Sequence, residues 1–333
     1  MTSKLKEKSM TMVALMFMSV MLSMISIPSV SAAGINQTTE GLLNGQETWT
    51  GTHTLIDNVT VAPGASLVVN AGSTIIIPFG KHIDVRGAIC VASTSCGAPS
   101  DGSAGNMVKF SWTIPSASEY LERGPCYFSV DAACDSGMII RNTIDEAKTG
   151  LNFVEFENAF GYEYIYVTGG NPNAKYAALV FDGPRTNANG LTFTNINTSN
   201  ILLTNLANPT ITNSAFVLGV DGYSLGKRAA IDALGAGAGI SDPIMISSST
   251  FTGDAEGTCG NSGSGINMIY ADNSYVSIDD VTISNNGFGV FFKQSSGEII
   301  NSEINVNCAA VNTNGFKQTG SIKHTLDIND NII

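Results

Sequence analysis

Charged side chains are scarce in this sequence. They make up 13% of the 333 residues, and Lys and Arg number only 16 against 28 Asp and Glu. Helices favour Glu, Lys, Arg, Leu and Ala. A chain that fills its polar positions with Ser, Thr, Asn and Gly argues instead for strands joined by short turns. Too few cations for an acidic chain means a surface that repels nucleic acid and anionic membranes, so neither is an expected partner. Histidine is almost absent: His53, His82 and His324 lie far apart, and none is near a Ser nucleophile motif. General-base catalysis by His has little support on that count. Gly-His-Gly, Rossmann and P-loop patterns are missing, so the glycines read as turn residues. No Cys-x-x-Cys occurs, which removes the usual zinc signature. After the first 30 residues no apolar run is long enough to cross a membrane.

The N-terminus carries what the rest lacks. Lys4, Lys6 and Lys8 precede an apolar run over 10–27, Pro28 breaks it, and Ser29-Val-Ser-Ala-Ala33 supplies small residues. This is the layout of a secretory signal peptide, assigned to residues 1–33, with the cut after Ala32 or Ala33. An uncleaved run of about 18 residues would just span a bilayer. The small-residue end favours cleavage. Removing three Lys and one Glu with it leaves a mature chain of about −14. The expected location is secreted or cell-surface. Six cysteines, an even number in an exported chain, predict three disulfides. Spacing favours Cys90–Cys96, Cys126–Cys134 and Cys259–Cys308.

Short apolar triplets then recur. Val59-Thr-Val61, Leu67-Val-Val69, Ile75-Ile-Ile77 and Ile83-Asp-Val85 each start eight residues after the last, with Pro63-Gly64, Ala71-Gly72 and Phe79-Gly80 between them. Triplets this short are strands with a bend after each. Three strands close a coil of 24 residues, so Val59 returns beneath Ile83. A hairpin meander would need Asn-Gly-type turns and longer alternating strands.

A six-residue unit with apolar ends and Asn, Asp or Ser in its middle recurs later. It occupies 211–216, 246–251, 278–283 and 299–304, with looser copies at 151–156 and 191–196. The last two good copies are 21 residues apart, and Val290 and Val311 repeat at the same offset. The middle residue marks a bend where left-handed backbone is needed, which Asn and Asp tolerate. The apolar ends stack on the same positions one rung away.

These hexads resemble the repeats of the pectate-lyase-like superfamily of right-handed parallel β-helices. The stretch from Trp49-Thr-Gly-Thr-His-Thr-Leu55 to Val61-Ala-Pro-Gly-Ala-Ser-Leu67 is similar to the opening coil of secreted β-helix surface proteins. The implied fold is an all-β, single-stranded right-handed parallel β-helix with loop insertions. It would occupy 54–333, after an N-terminal cap or lead at 34–53. The strand-like end, Ile322 to Ile333, carries no cap. That predicts a chain continuing beyond 333, or a surface protein docked on the last coil.

The superfamily holds lyases, hydrolases, adhesins and surface-layer components, so the fold names no function. Its lyases use an Asp-rich calcium site and a basic residue; its hydrolases use clustered Asp. Asp279-Asp280 is the one Asp pair, and Asp280 sits at a bend position. Asp182 with Arg185 is a turn pair. Asp254, Glu256, Asp327 and Asp330 are candidate calcium ligands, without EF-hand spacing; no other cofactor is expected and no catalytic residue is assigned. Tyr162, Tyr164 and Tyr166 alternate, so they face one side. They stack on sugar rings or pack under a neighbouring loop. Asn36, Asn58 and Asn197 are N-glycosylation sequons. The expected function is a structural or adhesive protein that does not catalyse and binds carbohydrate, an extracellular polysaccharide being the candidate partner. The alternative is a polysaccharide lyase or glycoside hydrolase acting on acidic polysaccharide.

Overall fold

The apolar triplets are strands. Ser66–Val69, Thr74–Ile77 and Ile83–Val85 each hold three or four residues, and Thr52–Val61 carries the first triplet. The structure is a computed structural model of the chain. It describes residues 37–115, 135–141, 148–168, 171–183, 185–196, 198–218, 229–239, 241–253, 267–314 and 326–329. Twenty-five strands among them join in one hydrogen-bonded sheet. No α-helix occurs among the described residues. All of them belong to one compact unit, Ala32–Ile333.

Val59 pairs with Ile83 in parallel register, the 24-residue return read from the triplets. Ile278 pairs with Ile299 and Val290 with Val311, the 21-residue return of the later hexads. Following each strand to its next partner sorts the sheet into three columns. In the first, His53, Ile75, Phe110, Phe156, Phe193, Phe216, Phe251, Ile283 and Ile304 lie in register. In the second, the row runs Val59, Ile83, Met138, Leu179, Ile201, Ile231, Ile269, Val290 and Val311. In the third, it runs Trp49, Val69, Val91, Leu151, Ala188, Ile211, Ile246, Ile278 and Ile299. From Thr52 onward the chain visits first, second and third column in unchanging rotation.

These rows point inward and are buried in one hydrophobic cluster, apart from His53 and the half-buried Val311. Alternation along each strand sends the intervening residues outward, as in the buried–intermediate alternation of Val108–Trp112. The first column holds a continuous aromatic stack. Phe110, Phe156, Phe193, Phe216 and Phe251 have successive ring centroids 5.7, 5.3, 5.2 and 4.5 Å apart, all within 17° of parallel. Strand spacing sets that repeat.

The hexad middles are left-handed bends. Asn213, Ser248, Asp280 and Asn301 have φ of 50°, 47°, 53° and 50°. Their side chains bond along the stack: Asn213 Nδ2 donates to Asn189 Oδ1 at 2.8 Å, and Asn301 Nδ2 to Asp279 Oδ1 at 2.9 Å. Ser248 Oγ donates to Asp280 Oδ2 at 3.0 Å. Each bend would orphan a backbone donor beside it. The buried serine that follows accepts one from the neighbouring layer: Ser214 from Leu191 N, Ser249 from Ser214 N, Ser302 from Val281 N.

The looser hexad copy at 191–196 is corrected by the register. Leu151 pairs with Ala188 and Phe156 with Phe193, so the copy spans 188–193. A small residue at its start hid it. Its bend is Gly190, φ 69°, where a Cβ would come within 2.9 Å of the Phe153 ring. Phe153 occupies the neighbouring bend at φ 50°, a conformation that bulky residues rarely adopt.

The expected lead at 34–53 carries paired strands from Gln37. Gln37–Leu43 and Gln46–Trp49 extend the ladder by one layer, because Gln37 pairs with His53 and Trp49 with Val69. The assigned signal segment 1–33 lies outside the described residues. Among those described, no helix is long and apolar enough to cross a membrane.

Candidate functional site

One outer face gathers charged side chains that are remote in sequence. It is the outside of the second column. Its outward positions run in register Asp84, Ile139, Val180, Leu202, Asp232, Tyr270 and Phe291. Two residues along each strand lies a second outward row: Arg141, Asp182, Thr204, Leu234, Asp272 and Lys293. A sheet with Ile, Val and Leu pointing outward needs a cover. The chain supplies it as a hairpin of Tyr162–Thr168 and Asn171–Asp182, the one antiparallel strand pair among the described residues. Tyr162 and Tyr164 pack against the buried cluster of Ile139, Ala177, Val180 and Leu202.

Polar contacts fasten the hairpin. Arg141 donates to Asp84 Oδ1 through Nε at 2.9 Å, to Asp182 Oδ2 through Nη1 at 3.3 Å, and to the Tyr162 hydroxyl through Nη2 at 3.2 Å. Arg86 donates twice to the other oxygen of Asp84, at 3.0 and 2.8 Å. The Tyr164 hydroxyl donates to Asp182 Oδ1 at 3.2 Å and accepts from Asn205 Nδ2 at 2.8 Å. His82 stands edge-on to Tyr162, ring centroids 5.2 Å apart, with Nδ1 3.5 Å from Asp135. Farther along, Lys175 of the hairpin donates to Asp232 Oδ2 at 2.6 Å, and its ammonium lies 5.7 Å from the centre of the Tyr270 ring. Lys293 donates to Asp272 at 2.8 Å.

Burial shifts His82, Tyr162, Tyr164 and Asp232 on this face. It pushes His82 below the ordinary imidazole value, against the pull of Asp135 and Asp84. It pushes the Tyr162 and Tyr164 phenols up. It also raises Asp232, opposed by Lys175. The carboxylates and cations are thereby engaged with each other, and the arrangement works as a set of staples. Among the described residues, no three His, Cys, Asp or Glu side chains group as metal ligands.

The other sequence candidates fall as follows. Tyr162 and Tyr164 are half-buried and pack against the sheet; the Tyr166 side chain lies outside the described residues. Asp182 and Arg185 do not pair with each other, which corrects the turn-pair expectation. The register sets Asp182 opposite Arg141, while Arg185 bonds Asp242. Asp280 is a bend residue at φ 53°. His53 is a core histidine, stacked on Trp49 at 4.4 Å and within 2.6 Å of Thr39 Oγ1, and burial lowers its pKa.

Cys90 and Cys96 form a disulfide. A cavity of about 300 Å³ beside it is lined in part by Gln46, Ser66, Ser95, Cys96 and Lys148. Cys308 is also disulfide-bonded; Cys126, Cys134 and Cys259 lie outside the described residues. Asn58 is half-buried, and its Oδ1 accepts the His82 backbone N–H at 3.0 Å. Asn36, Asn197, Asp254, Glu256, Asp330 and His324 lie outside the described residues, as does the Asp327 side chain.

The face was missed because its members come from different layers: Asp84 and Arg141 are 57 residues apart, as are Lys175 and Asp232. The alternating tyrosines were the available signal. Compared with known proteins, the chain matches no family model, no curated protein and no solved structure.

Proposed function

We propose that the three-column sheet is a right-handed parallel β-helix of the pectate-lyase-like kind. Outside the cell it would act as a structural or adhesive scaffold that binds polysaccharide without cleaving it. The unchanging strand rotation supports the winding, and parallel crossovers are right-handed in about 98% of cases. The basic and apolar N-terminal pattern and the Cys90–Cys96 disulfide support export.

The observation that carries the non-catalytic reading is the mutual engagement on the hairpin face. Arg141 is held by two carboxylates and a phenol, which suits a staple better than a proton-transfer group. On the outside of the first column, the stretch between Glu155 and Glu303 suits a long polymer better. Thr192, Ala215, Thr250 and Thr282 lie in register there, beside Val217, Thr252 and Ser284. These side chains are exposed or half-buried and uncharged.

A second reading, a lyase or hydrolase on acidic polysaccharide, draws on one observation. Asp84, Asp135 and Asp182 share a face with Arg86, Arg141 and His82. A polysaccharide array probed with and without calcium, followed by assays for unsaturated and reducing-end products, separates the two. Binding without turnover is the expected result. Product formation would transfer the hairpin face to the enzyme reading.

A further inference from the structure

The contact between Lys175 and Asp232 stands apart from the other fastenings of the hairpin. Asp232 occupies the outward row that begins at Asp84 and is otherwise filled by Ile139, Val180, Leu202, Tyr270 and Phe291. It is 1% exposed, and among the described residues its Oδ1 has no hydrogen-bond partner. Oδ2 accepts from Lys175, whose side chain is 23% exposed. Lys175 stands opposite Tyr164 in the hairpin ladder. Seating the hairpin therefore brings Lys175 onto a carboxylate whose second oxygen stays unsatisfied. A buried anion short of one hydrogen bond is costly in its ionised form. Lifting the hairpin away returns Lys175 to water and uncovers that side of Asp232.

We propose that seating of the hairpin is proton-linked through Asp232, making the hairpin a strap that holds tighter in acid and loosens as pH rises. Asp232 is faced by Lys175 from the hairpin, and by Tyr270 and Asp272 from Asn267–Asp272; Lys293 from Phe288–Lys293 neutralises Asp272. Burial outweighs Lys175, and Asp272 adds to burial, so the seated carboxyl titrates above its ordinary value. The seated state then keeps a proton at a pH where the lifted state has lost it. This preference for seating is fully present below the ordinary carboxylate value. It is lost as pH rises through the seated value. His82 beside Tyr162 acts in the opposite sense, because burial lowers its pKa. Its protonation below about 6.5 opposes seating. A variant at Asp232 separates the two groups.

The test is amide hydrogen exchange, corrected for intrinsic rates, on Tyr162–Ile165 and Ala174–Tyr176, with Ile278–Ile283 as internal reference, from pH 4 to 8. Relative to Asp232→Asn, the wild-type chain should lose protection of the hairpin amides with rising pH, by about tenfold for each unit of pKa separation. Asp232→Asn keeps an acceptor for Lys175 and cannot ionise, so its profile should lack that loss. Lys175→Met removes the opposing cation, so its loss should move to higher pH, which keeps the test available if Asp232→Asn folds poorly. Identical profiles in wild type and Asp232→Asn, an unmoved profile in Lys175→Met, or wild-type protection that rises with pH relative to Asp232→Asn would each overturn the proposal.

Discussion

Phe193→Ala should destabilise the protein by about 3–5 kcal/mol, the range for truncating a buried aromatic. The thermal midpoint should fall by on the order of 10 °C. Phe193 is fully buried between Phe156 and Phe216, with centroids 5.3 and 5.2 Å away. Truncation removes two ring contacts at once and leaves a void that neighbours cannot fill, because their own layers hold them one strand spacing away. In a body where each layer is buried only against its neighbours, a weak central layer splits the stack. Val217→Ala is the control. Val217 adjoins Phe216 in sequence but points outward and is 47% exposed, so the change should stay within about 0.5 kcal/mol. Urea titration of both variants checks the contrast. Equal effects would mean that the phenylalanines are not the interior row.

Arg141→Met should cost about 2–3 kcal/mol and unseat the hairpin. Breaking a buried ion pair by removing one partner typically costs about 3–5 kcal/mol. The Arg141 side chain is one-third exposed, so solvent screening lowers that figure. Among the described residues, the Asp84 side chain, 5% exposed, then keeps Arg86 as its cation, and Asp182 keeps Tyr164 and Asn205. Arg86→Met is the comparison. Arg86 is half-exposed and binds the same carboxylate, so its loss should stay within about 1 kcal/mol. Denaturation midpoints give the two costs, and hydrogen exchange over Tyr162–Ile165 reports the hairpin. If Arg141→Met proved no worse than Arg86→Met, Arg141 would not be a staple.

The strand register was legible wherever a layer is compact. The triplets from Val59 to Val85 repeat every eight residues, and Ile278 to Ile304 repeats after 21, so apolar spacing alone gave the register. Bend positions were legible for a local reason: Asn213, Asp280 and Asn301 are residues that tolerate positive φ. Phe153 and Gly190 carry no such signal, because one is bulky and the other resembles any turn glycine.

The hairpin face was not legible. Leu179, Ile201, Ile231 and Ile269 are adjacent in space but separated by 22, 30 and 38 residues, so insertions scramble any charge periodicity. The alternation of Tyr162 and Tyr164 gave their common side. It could not give the sheet beneath them, since that surface comes from Ile139, Val180 and Leu202 on three different layers.

The three-column winding itself is tested most directly by one engineered disulfide. Thr250 and Thr282 are both exposed and in register on adjacent strands of the first column. A strand spacing of about 4.8 Å falls within the Cα separation of about 4.4–6.8 Å that a disulfide needs. Oxidation of Thr250→Cys/Thr282→Cys followed by peptide mapping should yield the 250–282 crosslink. Thr250→Cys/Ser277→Cys, whose second site pairs with Met245 in the third column, should not close. Formation of the second crosslink in place of the first would contradict the winding.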